Sequence, residues 1–180
     1  MNKFTAFLLL IGLSPLLGSI YGIVHDQLTY TISPEYYTKF KFHQFGLTDM
    51  EGEALLPNPR TVVAVVGIMA TWWMGLLIGI VLTLVGLKQI NGAMMFQTTL
   101  KAMILTIIIA LLTGLIGLFY GSTLSKADVA NWHLPINLVD YQNFIKVGSM
   151  HHFSYIGGAI GLIISIFYSL GTFQVGKNNF

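Results

Sequence analysis

The side chains able to do chemistry in this chain are imidazoles, carboxylates and a few tyrosines. Five histidines (His25, His43, His133, His151 and His152) and seven acids occur in 180 residues, with no cysteine. Lacking thiols, the chain has no disulfide, thiolate nucleophile, iron–sulfur cluster or cysteine-based zinc site. Imidazole together with carboxylate suits zinc, iron, manganese or copper. His151 and His152 are adjacent, so on a helix their side chains diverge by about 100°. One of the two is expected to ligate, and the other to bond a loop carbonyl or carboxylate. His25 with that histidine, and Asp26 or Glu35 as carboxylate partner, makes a three-ligand set with an open position for an acidified water or for dioxygen. Tyr21 and Tyr155 are the expected hydrogen-bond donors to a substrate, and His43 is a spare ligand. None of the spacings HExxH, HxxxH or ExxH occurs.

Other uses of these residues must be weighed. A single b-type haem held between His25 and His151 or His152 is one, although a bundle carrying two haems across a membrane would show histidines at both depths. Serine chemistry has no Gly-x-Ser-x-Gly elbow to support it; Ser149 lies three residues before His152, a spacing that makes a simple hydrogen bond. The plainest alternative is that polar groups merely close helix ends: Asp26 pairs with Arg60, Glu35 favours its own helix start, and His133 is a loop residue in water. The protein would then be a non-enzymatic accessory or assembly subunit of a membrane complex.

These groups must be positioned by elements that live in lipid. The chain is 54% hydrophobic and 9% charged, with a mean hydropathy of +0.73, against roughly 45–50% and about 25% for soluble domains. Sixteen formal charges, nine basic and seven acidic, cannot cover a water-facing surface of this size. A net charge of +2 gives a nucleic-acid partner no electrostatic support. Membrane lipid, a second copy of the chain or a membrane-complex partner are the expected associations.

Apolar runs long enough to cross about 30 Å of hydrocarbon, roughly 20 helical residues, cover residues 4–24, 61–87, 102–122 and 153–173. The sequence predicts an all-α integral membrane protein: four transmembrane helices in a bundle, one domain over residues 1–180, with the last helix starting near residue 141. A secretory leader is the weaker reading of the first run, whose apolar stretch exceeds a usual signal core. Four spans place both termini on one side with Lys3, Lys88, Lys101 and Lys177 and no acid. This predicts cytoplasmic termini in a bacterial inner membrane and a periplasmic-facing site, although basic residues alone divide four against five.

In the first outer loop, Ser33-Pro34-Glu35 is a helix start and Gly46 a stop, predicting a short interfacial helix from Pro34 to Phe45. Phe40 and Phe42 also alternate with Lys39, Lys41 and His43 as a strand would. Thr48-Asp49-Met50-Glu51 reads as a capping box, Asn58-Pro59 as the cap of the second span, and Asp140 as the N-cap of the last helix. Asn91-Gly92 marks a turn in the inner connection, residues 88–101. Trp132, Leu134, Pro135 and Ile136 are apolar enough to dip towards the interface.

The helices carry stripes of small and hydrogen-bonding residues. Ser14, Gly18, Tyr21 and His25 form one on the first span, and His151, Ser154, Tyr155, Gly158, Gly161 and Ser165 form another on the last. Gly67, Thr71, Gly75, Gly79 and Thr83 stripe the second, and Thr106, Ala110, Thr113, Gly117 and Tyr120 the third. Membrane helices bury such stripes against each other because small residues let backbones approach. The expected result is a bundle close-packed towards one end, with a polar basin at the other for His25, Asp26, Glu35, Arg60, His151, His152, Tyr21 and Tyr155. Trp72 and Trp73, about 18 Å along the helix from Arg60, are compatible with either the bundle or the lipid.

Overall fold

The computed structural model describes residues 1–48, 52–132, 134–135 and 137–178, with those from 174 onward described by backbone alone. The expected capping box at residues 48–51, His133 and Ile136 therefore lie wholly or partly outside the described residues. Four long helices dominate: α1 (Lys3–Ile32), α4 (Pro59–Gly86), α5 (Gly92–Thr123) and α6 (Tyr141–Asn178). Each is long and apolar enough to cross a membrane. Between α1 and α4 lies a lid of short helical turns, α2 (Pro34–Tyr36), a wide π turn (Tyr37–Lys41) and α3 (Phe42–Gln44). No strand occurs among the described residues.

Helix ends follow hydrogen-bonding chemistry more than hydropathy. The apolar run of the first span ends near Val24, yet α1 continues to Ile32 because His25, Asp26 and Thr29 are buried and find partners inside the bundle. At the other end of the bundle α5 begins at Gly92, ten residues before the apolar run, because the Asn91 side chain accepts from Met94 N at 3.0 Å and stops the turn there. Asp140 caps α6, accepting from Asn143 N at 3.2 Å. Asn58 does not cap α4 through its side chain; it takes a left-handed conformation with φ 49°, and Pro59 starts the helix. Gly46, with φ +64°, ends the lid helix as expected, because a left-handed position suits glycine.

The bundle is two tight helix pairs, α1 with α4 and α5 with α6, joined much more sparsely to each other. Glycine makes the close approach possible. A Cβ on Gly22 would collide with the Gly67 carbonyl, and one on Gly18 with the Gly75 backbone. Thr71 Oγ1 donates to Gly18 O at 2.8 Å across the same pair. In the other pair Gly114 faces Ser154, and Gly117 faces Phe153.

The pairs are joined at both ends. At the far end Ala6, Leu10, Leu82, Met95, Ala102 and Met103 form a buried apolar cluster. At the lid end Tyr36, Tyr37 and Phe42 pack with Val63 and Val66 of α4 and Phe144 and Val147 of α6. Between these two seams the pairs part, leaving a cleft. Trp72 and Trp73, 47% and 46% exposed, face outward from the bundle.

Candidate metal centre

The cleft ends beneath the lid in a cluster of polar side chains from α1 and α6. His25 lies on the inner face of α1, where its ring is 4% exposed, and Asp26 beside it is 3% exposed. His25 Nδ1 and Asp26 Oδ1 are 3.1 Å apart, and His25 Nε2 reaches Ser154 Oγ of α6 at 3.1 Å. His151, one turn from Ser154 towards the lid, stands edge to face with His25 at 4.6 Å between ring centroids. The phenol ring of Tyr36, from the lid, stacks on its other side at 5.0 Å and an interplanar angle of 13°.

His25, Asp26 and His151 each offer one ligating atom such that the three atoms lie within 4.8 Å of one another, and all three residues are buried. Asp26 Oδ2, His151 Nε2 and the Tyr21 hydroxyl have no hydrogen-bond partner among the described residues. Buried polar atoms ordinarily have partners; nine such atoms among the described residues have none, and three of them gather at this cleft end. Tyr21 packs against His25 at 5.5 Å between rings. Tyr155, 49% exposed, lines the side of the same cleft.

Other members of the expected basin lie elsewhere. His152 points away from His151, as the helical angle requires; it is exposed and meets Trp132 edge-on at 5.2 Å in a separate aromatic pocket with Tyr36, Phe40 and Phe144. Glu35 faces the segment before α6, where it accepts from Val139 N at 3.0 Å, Asp140 N at 2.6 Å and the Lys39 ammonium. It ties the lid to the start of α6 and does not reach the histidines. Arg60 does not pair with Asp26; it donates to Gln27 Oε1 at 3.0 Å and Thr31 Oγ1 at 3.2 Å and lies over the Tyr30 ring. His43 bonds Gly52 O at 2.8 Å.

Two participants were not singled out from the sequence as partners of the centre. Ser154 belongs to the α6 stripe, and spacing along the chain carries no sign of its contact with His25 because the two residues belong to different helices. Lys41 is 4% exposed, in the lid. Burial pushes its ammonium pKa down, partly opposed by the Asp26 charge, and Phe45 supplies a ring 5.4 Å from Nζ. Tyr37 closes the roof, its hydroxyl 2.6 Å from Thr29 Oγ1; burial first, and the nearby Asp26 charge second, push its phenol pKa up, so it stays protonated. The centre is thus covered by aromatic rings on the lid side and opens into the cleft on the other.

No family model, curated protein or solved structure matches this chain.

Proposed function

We propose that this integral membrane protein holds a transition metal ion, zinc, iron or copper, through His25, Asp26 and His151, and acts with it on a molecule dissolved in the lipid phase. The observation that carries the reading is the convergence of three buried ligating atoms within 4.8 Å, two residues of which keep an unpartnered Asp26 Oδ2 and His151 Nε2. Two imidazoles and a carboxylate leave room for further ligands, as catalytic sites do. The contact between His25 Nδ1 and Asp26 Oδ1 would orient the ring for ligation through Nε2. A bound ion would supply Lewis-acid or water-activating chemistry, and Tyr21 and Tyr155 would supply hydrogen bonds to the substrate. Metal content of detergent-purified protein tests this: near-stoichiometric metal that is lost in His151→Ala and Asp26→Asn supports it, and metal that ignores both substitutions ends it.

One observation favours a second reading. Both ring nitrogens of His25 have partners at 3.1 Å, Asp26 on one side and Ser154 on the other, the connectivity of a serine nucleophile with its base and orienting acid. In that reading Ser154 Oγ attacks an ester carbonyl and passes its proton to His25 Nε2. The proton then goes to the departing alcohol, and water hydrolyses the acyl-serine. Covalent labelling by a lipophilic fluorophosphonate, abolished by Ser154→Ala in a sample without metal, would favour it over the metal centre.

A further inference from the structure

The cleft that leads to the centre has a shape and lining that select what can reach it. It is an open groove, with about 850 Å³ between its walls when the solvent at its open side is counted. Its head is His25, Asp26 and His151, and it reaches the level of Ser14, Ile78 and Met103. His25 to Ser14 along α1 is about 16 Å at 1.5 Å per residue, so the cleft runs lengthwise between the helix pairs, parallel to lipid chains. Leu17, Met74, Ile107 and Met103 give it apolar walls, and among the described residues Asp26 is the only acid or Lys/Arg lining it. The lid closes the end above His151, whereas half-exposed Tyr155 lies at the side facing lipid.

We infer that the cleft takes a single-chain lipid carboxylate sideways from the bilayer, with its tail along the walls and its carboxylate at the metal centre. The tail follows from the elongated apolar cavity alone. The head rests on the metal reading, which this inference deepens. A divalent ion with two neutral imidazoles and one carboxylate carries a net positive charge, which in a low-dielectric setting calls for one more anion. A carboxylate supplies a single charge and a second oxygen within the cleft that Tyr21 lines. A phosphate head carries more charge and is normally held by several cationic or backbone donors, yet among the described residues no Lys or Arg lines the cleft. An alcohol head leaves the charge unbalanced.

The test is equilibrium binding of radiolabelled hexadecanoate, hexadecanol and hexadecyl phosphate to detergent-purified full-length protein incubated with zinc, with bound zinc measured in the same samples. Hexadecanoate is expected to bind at least tenfold more tightly than the other two. Gly158→Leu fills the cleft from a position where a Cβ meets nothing within 4 Å, and Ile107→Phe narrows it from another wall. Both are expected to weaken hexadecanoate at least tenfold while zinc content stays unchanged. Equal affinity for the three probes, or preference for the alcohol or phosphate, overturns the carboxylate head; unchanged binding in folded Gly158→Leu and Ile107→Phe overturns the cleft. Zinc bound without any lipid binding sinks this inference and spares the metal centre. Tail-dependent hexadecanoate binding without zinc sinks the metal centre and the charge argument, and spares the cleft.

Discussion

The imidazoles of His25 and His151 stand edge to face with ring centroids 4.6 Å apart, one on the first membrane helix and one on the last. Both rings are buried and come from opposite ends of the chain, and imidazole ligates metal in its neutral form. Alanine at either position is expected to lower metal affinity at least tenfold, measured by competition with a chelator of known affinity. His152→Ala and Glu35→Gln are expected to retain wild-type affinity, because His152 faces Trp132 and Glu35 faces the segment before α6. Loss of metal in either of those two would remove His25, Asp26 and His151 as the sole protein ligands.

Glu35 joins the two loops over the bundle. Its burial alone would raise the carboxyl pKa, but hydrogen bonds from the Lys39 ammonium and from the Asp140 and Val139 amides outweigh this and hold it below the usual carboxylate range. A depressed folded-state pKa means the stabilisation is full above the unfolded carboxylate value and is lost as pH falls through the folded one. Glu35→Gln is expected to cost about 2 kcal/mol at neutral pH, in the range for hydrogen bonds to a charged group, and to flatten the acid limb of the stability curve. Thermal unfolding between pH 7 and pH 3 reads both effects.

Lys41 works in the opposite direction. Because burial lowers its folded pKa below the ordinary lysine value of 10.5, the unfolded chain binds more protons between the two values, and stability rises with pH through that window. Lys41→Met removes the charge at similar length, so it is expected to be neutral or stabilising at pH 7 and to abolish the alkaline rise. A variant that unfolds more readily at pH 7 would mean that the ammonium has a structural partner.

The α1–α4 seam makes a sharp steric prediction. Gly22→Ala drives a methyl into the Gly67 carbonyl, whereas a methyl at Gly12 meets nothing within 4 Å. Overpacking typically costs about 1–3 kcal/mol, so Gly22→Ala is expected to lower the thermal midpoint clearly and Gly12→Ala to leave it unchanged or slightly higher. Equal behaviour of the two variants would refute the close pairing of these helices.

The lid is fastened to the bundle by the hydrogen bond between Tyr37 and Thr29 at 2.6 Å. Tyr37→Phe keeps the ring among Tyr30, Tyr36 and Phe42 and removes the hydroxyl with its bond to Thr29, a loss of about 1 kcal/mol. Hydrogen exchange over residues 34–45 is expected to speed up while the helix interiors stay protected.

Hydropathy by itself determined four membrane-spanning helices, because a lipid solvent permits so few ways to satisfy a backbone. Local chemistry determined several helix ends: Asp140, Asn91 and Gly46 act through the nearest turn, so their effect is visible in a few adjacent residues. Helical angle also separated His151 from His152, but it could not say which of them faces inward. Only the tertiary structure decided that. Its glycine seams join α1 to α4 and α5 to α6, and the parting between the pairs places Ser154 and His151 opposite His25. The same packing sent Glu35 to the amides of Val139 and Asp140 and Arg60 to Gln27 and Thr31. Such choices depend on which backbones can approach across long sequence separations, a property of the assembled surfaces and of no single segment.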